Sequence, residues 1–271
     1  MEKIRMAALD FDLTLVDYPP QGGYELDPEA RRLFGEMIAN GAWVGLVSGR
    51  DVWPMKDILT VAGVEWGMPF PNYYIRRENY LHYQADGVWT EDVQWNAAVR
   101  EKTMDFCAKY AGEVPGWLEA TERAGFRSHN WILFSDFGLE AHYPSEETAA
   151  GAQKVLQELL GQQRDVQLHR NRMMLNVVPA GTGKGAALLH ASKFFGLKPE
   201  QVIAFGDSDN DISMLDGRYG FRSGTVSNSS RQVQKAVLAN GGYLATQRAS
   251  HGVCQVLKRL AGEGCVEGIT Q

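Results

Sequence analysis

The sequence predicts an α/β fold, a doubly wound, mostly parallel, Rossmann-like sheet with an α+β segment inserted into it. Three apolar runs carry the expectation: Met6-Ala7-Ala8-Leu9, Val44-Gly45-Leu46-Val47 and Val202-Ile203-Ala204-Phe205 have the length and composition of buried parallel strands. Each ends in polar chemistry, in Asp10-Phe11-Asp12-Leu13-Thr14, in Ser48-Gly49-Arg50, and in Gly206-Asp207-Ser208-Asp209-Asn210-Asp211. Ligands of open α/β sheets bind just beyond the carboxyl ends of the strands, so segments far apart in the chain are expected to meet in one pocket. The third observation is a change of texture after Tyr73, where long helical patterns give way to short aromatic and β-branched stretches.

Taken in order, the first strand leads into a loop rich in Pro and Gly (Pro19 to Gly23). A helix follows from Pro28 to Asn40, closed by Gly41. The second strand ends at Ser48, and Asp51 to Ala62 reads as a helix with Pro54 in its first turn. Tyr73-Tyr74-Ile75 and Tyr80-Leu81-His82-Tyr83 form an expected hairpin leading out of the core. Trp89 to Ala111 is helical in pattern, Trp131 to Phe134 a strand, Thr148 to Leu160 a helix opened by Ser145 and ended by Gly161, and Val166 to Arg170 a strand. Met173 to Val178 is a further strand, and Pro179 to Gly185 turns the chain into the helix Ala186 to Phe195. After the acidic loop, Ser230 to Asn240 and Gly252 to Leu260 are helical. The core is therefore expected to comprise residues 1–82 and 178–271, with an inserted domain at 83–177.

The 271 residues are 44% hydrophobic, ample for a buried core, which argues against disorder. Counts of 27 basic and 33 acidic residues give a net charge of −6, and no basic block of the kind that grips a nucleic-acid backbone is present. Nucleic acid is thus excluded as an expected partner, and no apolar run approaches membrane-spanning length. Cys107, Cys254 and Cys265 are odd in number and widely spaced, which suits a reducing cytoplasm. The N-terminus runs into the first strand without a signal-type apolar region, so the expected location is cytoplasmic and the Asn228-Ser229-Ser230 sequon is idle.

Together the polar segments read as one phosphoryl-transfer site. Lys184 stands near a helix N-terminus, where free N–H groups favour an anion, and the carboxylates would need a divalent cation to offset them before a phosphate approached. A nucleotide P-loop does not explain Gly181 to Lys184, because that motif needs glycine at Val178 and Ser or Thr at Gly185.

The four segments, in this order, resemble the haloacid dehalogenase (HAD) superfamily. The long spacing from Ser48 to Lys184 is similar to that of members with a large α/β cap, the Cof-like and sucrose-phosphatase-like branch. The resemblance implies a phosphoric monoester hydrolase acting on a small phosphorylated metabolite, most plausibly a sugar phosphate. It assigns Asp10 as the nucleophile that forms an aspartyl-phosphate, and Asp12 as general acid and base. Mg²⁺ would be held by Asp10, the Asp12 backbone carbonyl, Asp207 and Asp211. Thr14, Ser48, Gly49, Asn210 and Lys184 would contact the phosphoryl group, with Lys184 also neutralising charge on Asp10. Leu13 replaces a glycine common in relatives, and Asn228 is expected to brace the acidic loop. Asp209 is expected to be a solvated loop charge. Substrate choice falls to the inserted segment, with His169, Arg170, Arg172, Asn176, Asn130 and His142 as candidate readers. Two alternatives stay open: a phosphosugar mutase, and a phosphometabolite-binding protein without turnover.

Overall fold

The structure, a computed structural model, describes residues 2–134 and 136–266. Contacts divide the chain into two units: Met1–Asp92 with Gly183–Asp207 and Asp211–Gln271, and Val93–Thr182 with Ser208–Asn210.

The first unit is built on an eight-stranded sheet. Its strands are β1 (Met6–Leu9), β2 (Trp43–Val47), β3 (Tyr73–Arg76), β4 (Tyr80–Ala85), β5 (Val88–Glu91), β10 (Val202–Gly206), β11 (Arg222–Thr225) and β12 (Tyr243–Leu244), in the order β12-β11-β10-β1-β2-β3-β4-β5. From β12 to β3 all pairings are parallel; β3, β4 and β5 are antiparallel. The hairpin expected to leave the core therefore extends this sheet, and β5 occupies residues whose pattern suggests the start of a helix.

Register sets the layers. Ala7 and Leu9 of β1 lie beside Val44 and Leu46 of β2 and Ile203 and Phe205 of β10. With period-2 alternation these residues share one face, where they pack into a single core with α1 (Pro28–Ala39), α2 (Val52–Val61) and α9 (Ala249–Gly262). The alternate residues of these strands are buried as well, apart from half-buried Trp43, so β1, β2 and β10 read as continuous apolar runs. Helices α6 (Lys184–Phe194), α7 (Ile212–Leu215) and α8 (Arg231–Ala239) complete the unit. Both early helices start as their sequences dictate. Asp27 caps α1 by accepting from Glu29 N at 2.9 Å with Pro28 at the first position, and Asp51 caps α2.

The second unit is an antiparallel sheet of β6 (Asn130–Phe134), β7 (Gly138–His142), β8 (Val166–Asn171) and β9 (Met174–Pro179), in the order β6-β7-β9-β8. Helices α3 (Val93–Tyr110), α4 (Val114–Arg123) and α5 (Glu146–Leu160) bury Phe106, Trp117, Ala152 and Leu156 against Leu139, Ala141, Leu175 and Val177. The opposite face carries the row Ile132, Glu140, Asn176 and His169, which the register aligns across all four strands. No helix among the described residues is long and apolar enough to cross a membrane.

Candidate active site

Strand order explains how the polar segments meet. β10, β1 and β2 are adjacent and parallel, so their carboxyl ends lie side by side. Asp10 follows β1 directly, Ser48 follows β2 and Asp207 follows β10. Here the chain order reverses direction across the sheet, which is where open α/β sheets bind ligands.

Asp10, Asp207 and Asp211 each present a carboxylate oxygen within 4.8 Å of the others, and all three are buried. Asp211 reaches back under β10: its Oδ2 accepts from Asp207 N at 3.0 Å. Gly206 makes that return possible, because a Cβ there would meet the Asp211 Cβ at 2.4 Å. Lys184, 1% exposed at the first position of α6, donates to Asp10 Oδ1 at 2.5 Å and to Asp211 Oδ1 at 2.6 Å. Its helix start is fixed by Gly183 at φ 95, whose N–H donates to Asn79 Oδ1 at 2.7 Å. Thr14 is fully buried and donates to Asp207 Oδ1 at 3.3 Å.

The electrostatics follow from burial. Desolvation, and then repulsion from Asp211, hold the Asp10 carboxyl well above the usual carboxylate range, against the pull of Lys184. Burial works against charge on Lys184, yet Asp10 and Asp211 outweigh it and keep the ammonium protonated. Glu78, 2% exposed, adds in the same direction. One ammonium among three buried carboxylates leaves surplus negative charge in a buried site whenever all three are ionised. That surplus, with an all-oxygen donor set, fits a hard divalent cation such as Mg²⁺.

Ser48, buried after β2, accepts from Arg50 N at 3.1 Å through its hydroxyl, and Gly49 beside it is exposed. The turn between β3 and β4 buttresses this loop: Glu78 N donates to Ser48 O at 2.8 Å and Arg77 N to Arg50 O at 3.1 Å. Asn210 is buried and groups with the second unit.

Two expectations need correction. Asp209 is not a solvated charge; it pairs with Arg170 and its side chain is 11% exposed. Sequence pattern gave it no partner because β8 and the acidic loop are distant in the chain. Asn228 braces a different loop from the one expected, donating to Leu13 O at 2.7 Å and accepting from Ala249 N at 3.0 Å. Of the other candidate readers, His169 pairs with Asn176 in the sheet and His142 contacts Glu140 at 2.7 Å.

Leu13 adopts φ 60, the left-handed region in which a Cβ costs about 1–2 kcal/mol. Leu13→Gly is accordingly expected to keep activity and to leave the thermal midpoint within a few degrees, strain relief offsetting the added unfolded-state entropy. A large loss of stability in a thermal melt would show that the leucine side chain, not the backbone, sets the loop.

Reasoning from sequence missed Arg50 and Tyr18, which grip Asp12. Arg50 Nε donates to Asp12 Oδ2 at 2.7 Å and Nη2 to Oδ1 at 2.8 Å, and the Tyr18 hydroxyl also donates to Oδ1. A cation directly after Ser48-Gly49 was a usable signal for Arg50. Nothing local marks Tyr18.

The model of the sucrose-6F-phosphate phosphohydrolase family matches residues 4–261. Among curated proteins, the chain is 29% identical over 128 residues to the 5-amino-6-(5-phospho-D-ribitylamino)uracil phosphatase YbjI of Escherichia coli, a match spanning 47% of this chain and only 44% of that protein. It is 25% identical over 236 residues to the HMP-PP phosphatase of Serratia proteamaculans, spanning 78% of this chain and 80% of that one. Among solved structures, the sucrose-phosphatase of Synechocystis sp. PCC6803, determined with sucrose and phosphate, superposes with a TM-score of 0.67 at 16% identity, covering 97% of this chain and 98% of the other. At that identity the likeness is one of fold.

Proposed function

The chain belongs to the sucrose-6F-phosphate phosphohydrolase family, and from that premise we propose that it is a cytoplasmic Mg²⁺-dependent phosphatase of a small phosphorylated metabolite, most plausibly a sugar phosphate. The observation that carries the reading is the buried cluster in which Lys184 bridges Asp10 and Asp211 beside Asp207. In this reading Asp10 is the nucleophile, Asp207 and Asp211 complete a metal-type donor set, and Lys184 at the start of α6 is the fixed cation.

In this reading an Asp10 carboxylate oxygen attacks phosphorus while the bond to the leaving oxygen breaks, and Asp12 gives that oxygen its proton. Asp12 then takes a proton from a water as the water attacks phosphorus. The bond to Asp10 breaks, and phosphate is released. Lys184 neutralises charge on Asp10 and on the phosphoryl oxygens; Thr14, Ser48, Gly49 and Asn210 are the remaining phosphoryl-contacting groups. Asp10, the Asp12 carbonyl, Asp207 and Asp211 would hold Mg²⁺, which supplies charge stabilisation for the transferring phosphoryl group. We assign the first unit to the core and the second to the cap, moving the expected edges of 83 and 177 to 93 and 182 so that β4, β5 and β9 stay whole, with choice of leaving group on the cap.

The test is a panel of phosphorylated sugars, polyols, nucleotides and cofactors with Mg²⁺, read as free phosphate. Release from sugar phosphates that stops with chelator is expected; isomerised sugar phosphate without release would identify a mutase, and binding without turnover a metabolite-binding protein. Independently of turnover, Mg²⁺ is expected to raise the thermal midpoint, by about 2.7 kcal/mol of stability at 100-fold excess over its dissociation constant. Asp207→Asn should lose that rise.

A further inference from the structure

Asp12 carries the proton in the reading above, and the inference developed here rests on it. Its carboxylate is gripped on both oxygens. The Arg50 fork takes Oδ2 through Nε and Oδ1 through Nη2, at 2.7 and 2.8 Å, and the Tyr18 hydroxyl takes Oδ1 as well. A carboxylate offers about four lone-pair positions. With three engaged, one on Oδ2 is left over.

Both donors are themselves anchored. Arg50 is fixed through its backbone, which donates to Ser48 Oγ at 3.1 Å and accepts from Arg77 N at 3.1 Å. Tyr18 follows Asp17, whose backbone exchanges hydrogen bonds with Glu25 at 2.9 and 3.0 Å and whose side chain holds Arg248 at 2.6 Å. The Tyr18 ring meets Tyr24 edge-on at 5.6 Å. The Arg50 and Asp12 side chains are each 37% exposed, so solvent screening limits what the pair adds to stability. A bidentate guanidinium does, however, fix the plane of a carboxylate, which a lysine ammonium does not.

We propose that Arg50 and Tyr18 are positioning residues for Asp12: they fix the orientation of its carboxyl group so that the open position on Oδ2 serves the leaving oxygen and then the attacking water. They contact Asp12 and not the reacting atoms. Their loss therefore falls on the proton-transfer steps and spares transfer to Asp10 when the leaving group needs no proton.

The experiment compares a hexose 6-phosphate with p-nitrophenyl phosphate, whose leaving group departs as a stable anion. For Arg50→Ala, kcat on the sugar phosphate is expected to fall about 100-fold, the low end of what a positioned proton donor supplies. With p-nitrophenyl phosphate a burst of nitrophenol equal to the enzyme concentration should precede slow turnover, because the phosphoenzyme forms normally and clears slowly. Added guanidinium should restore part of the rate, and Tyr18→Phe should shift the two esters in the same direction by several-fold. Arg50→Lys, which keeps the charge and loses the fork, should resemble Arg50→Ala and serves if the alanine variant folds poorly. Equal loss on both esters without a burst, or no loss, would overturn the proposal. Should the wild type release phosphate from no compound of the panel, the phosphatase reading fails; crystal structures of wild type and Arg50→Lys then decide the positioning, a displaced Asp12 side chain supporting it and an unmoved one overturning it.

Discussion

Asp10→Asn is expected to abolish phosphate release while leaving the fold intact. An amide of the same shape replaces the attacking oxygen with a group that is not a nucleophile, and removal of a covalent nucleophile costs roughly 10⁴- to 10⁶-fold in turnover. Stability should hold or rise. Burial and the nearby Asp211 carboxylate already disfavour charge on Asp10, so a neutral side chain relieves repulsion, and Lys184 keeps its contact with Asp211 at 2.6 Å. Phosphate release and a thermal melt on the same preparation check both halves. Activity within tenfold of wild type would place the nucleophile elsewhere.

Lys184→Met is expected to be the most damaging single change for the first unit. The ammonium is 1% exposed and bridges two buried carboxylates, and removing one partner of a buried ion pair costs about 3–5 kcal/mol. The methionine fills the space and supplies no charge. At about 2–4 °C per kcal/mol for a chain of this size, the midpoint should fall by roughly 6–20 °C. If the proposed donor set holds, Mg²⁺ should recover more of that loss than it adds to the wild type, since the uncompensated carboxylates would then be its ligands. A variant as stable as wild type without metal would mean that Asp10 and Asp211 are not both charged in the free protein.

How far the sequence reaches is seen residue by residue. The segments holding Asp10, Asp12, Ser48, Lys184, Asp207 and Asp211 stand out by local pattern, each following an apolar strand or opening a helix, and the resemblance to the HAD superfamily supplied the expected roles. Elements missed were those without a strong local signal. β11, Arg-Ser-Gly-Thr, has no apolar run, and β12 has two residues; both are strands because β10 and β11 offer them a parallel edge. β5 is mostly exposed, and its Val-Trp-Thr-Glu blends into the helical pattern that follows. α4 was hidden by Pro115 and Gly116, of which the proline sits harmlessly in the first turn. β7 starts at a glycine with φ 116, where a Cβ would meet Val177 O at 2.5 Å.

The sequence alone determined the α/β class, through apolar periodicities of two and 3.6, and its four motifs in order carried the resemblance that pointed to the family and to the expected site residues. Tertiary structure alone decided which groups act on one another: Arg50 and Tyr18 on Asp12, Glu78 beside Lys184, Arg170 on Asp209. The reason is physical. Strand and helix patterns are short-range, whereas a charge finds its partner through burial and strand order, and the adjacency of β10, β1 and β2 brings residues almost two hundred positions apart within hydrogen-bonding distance.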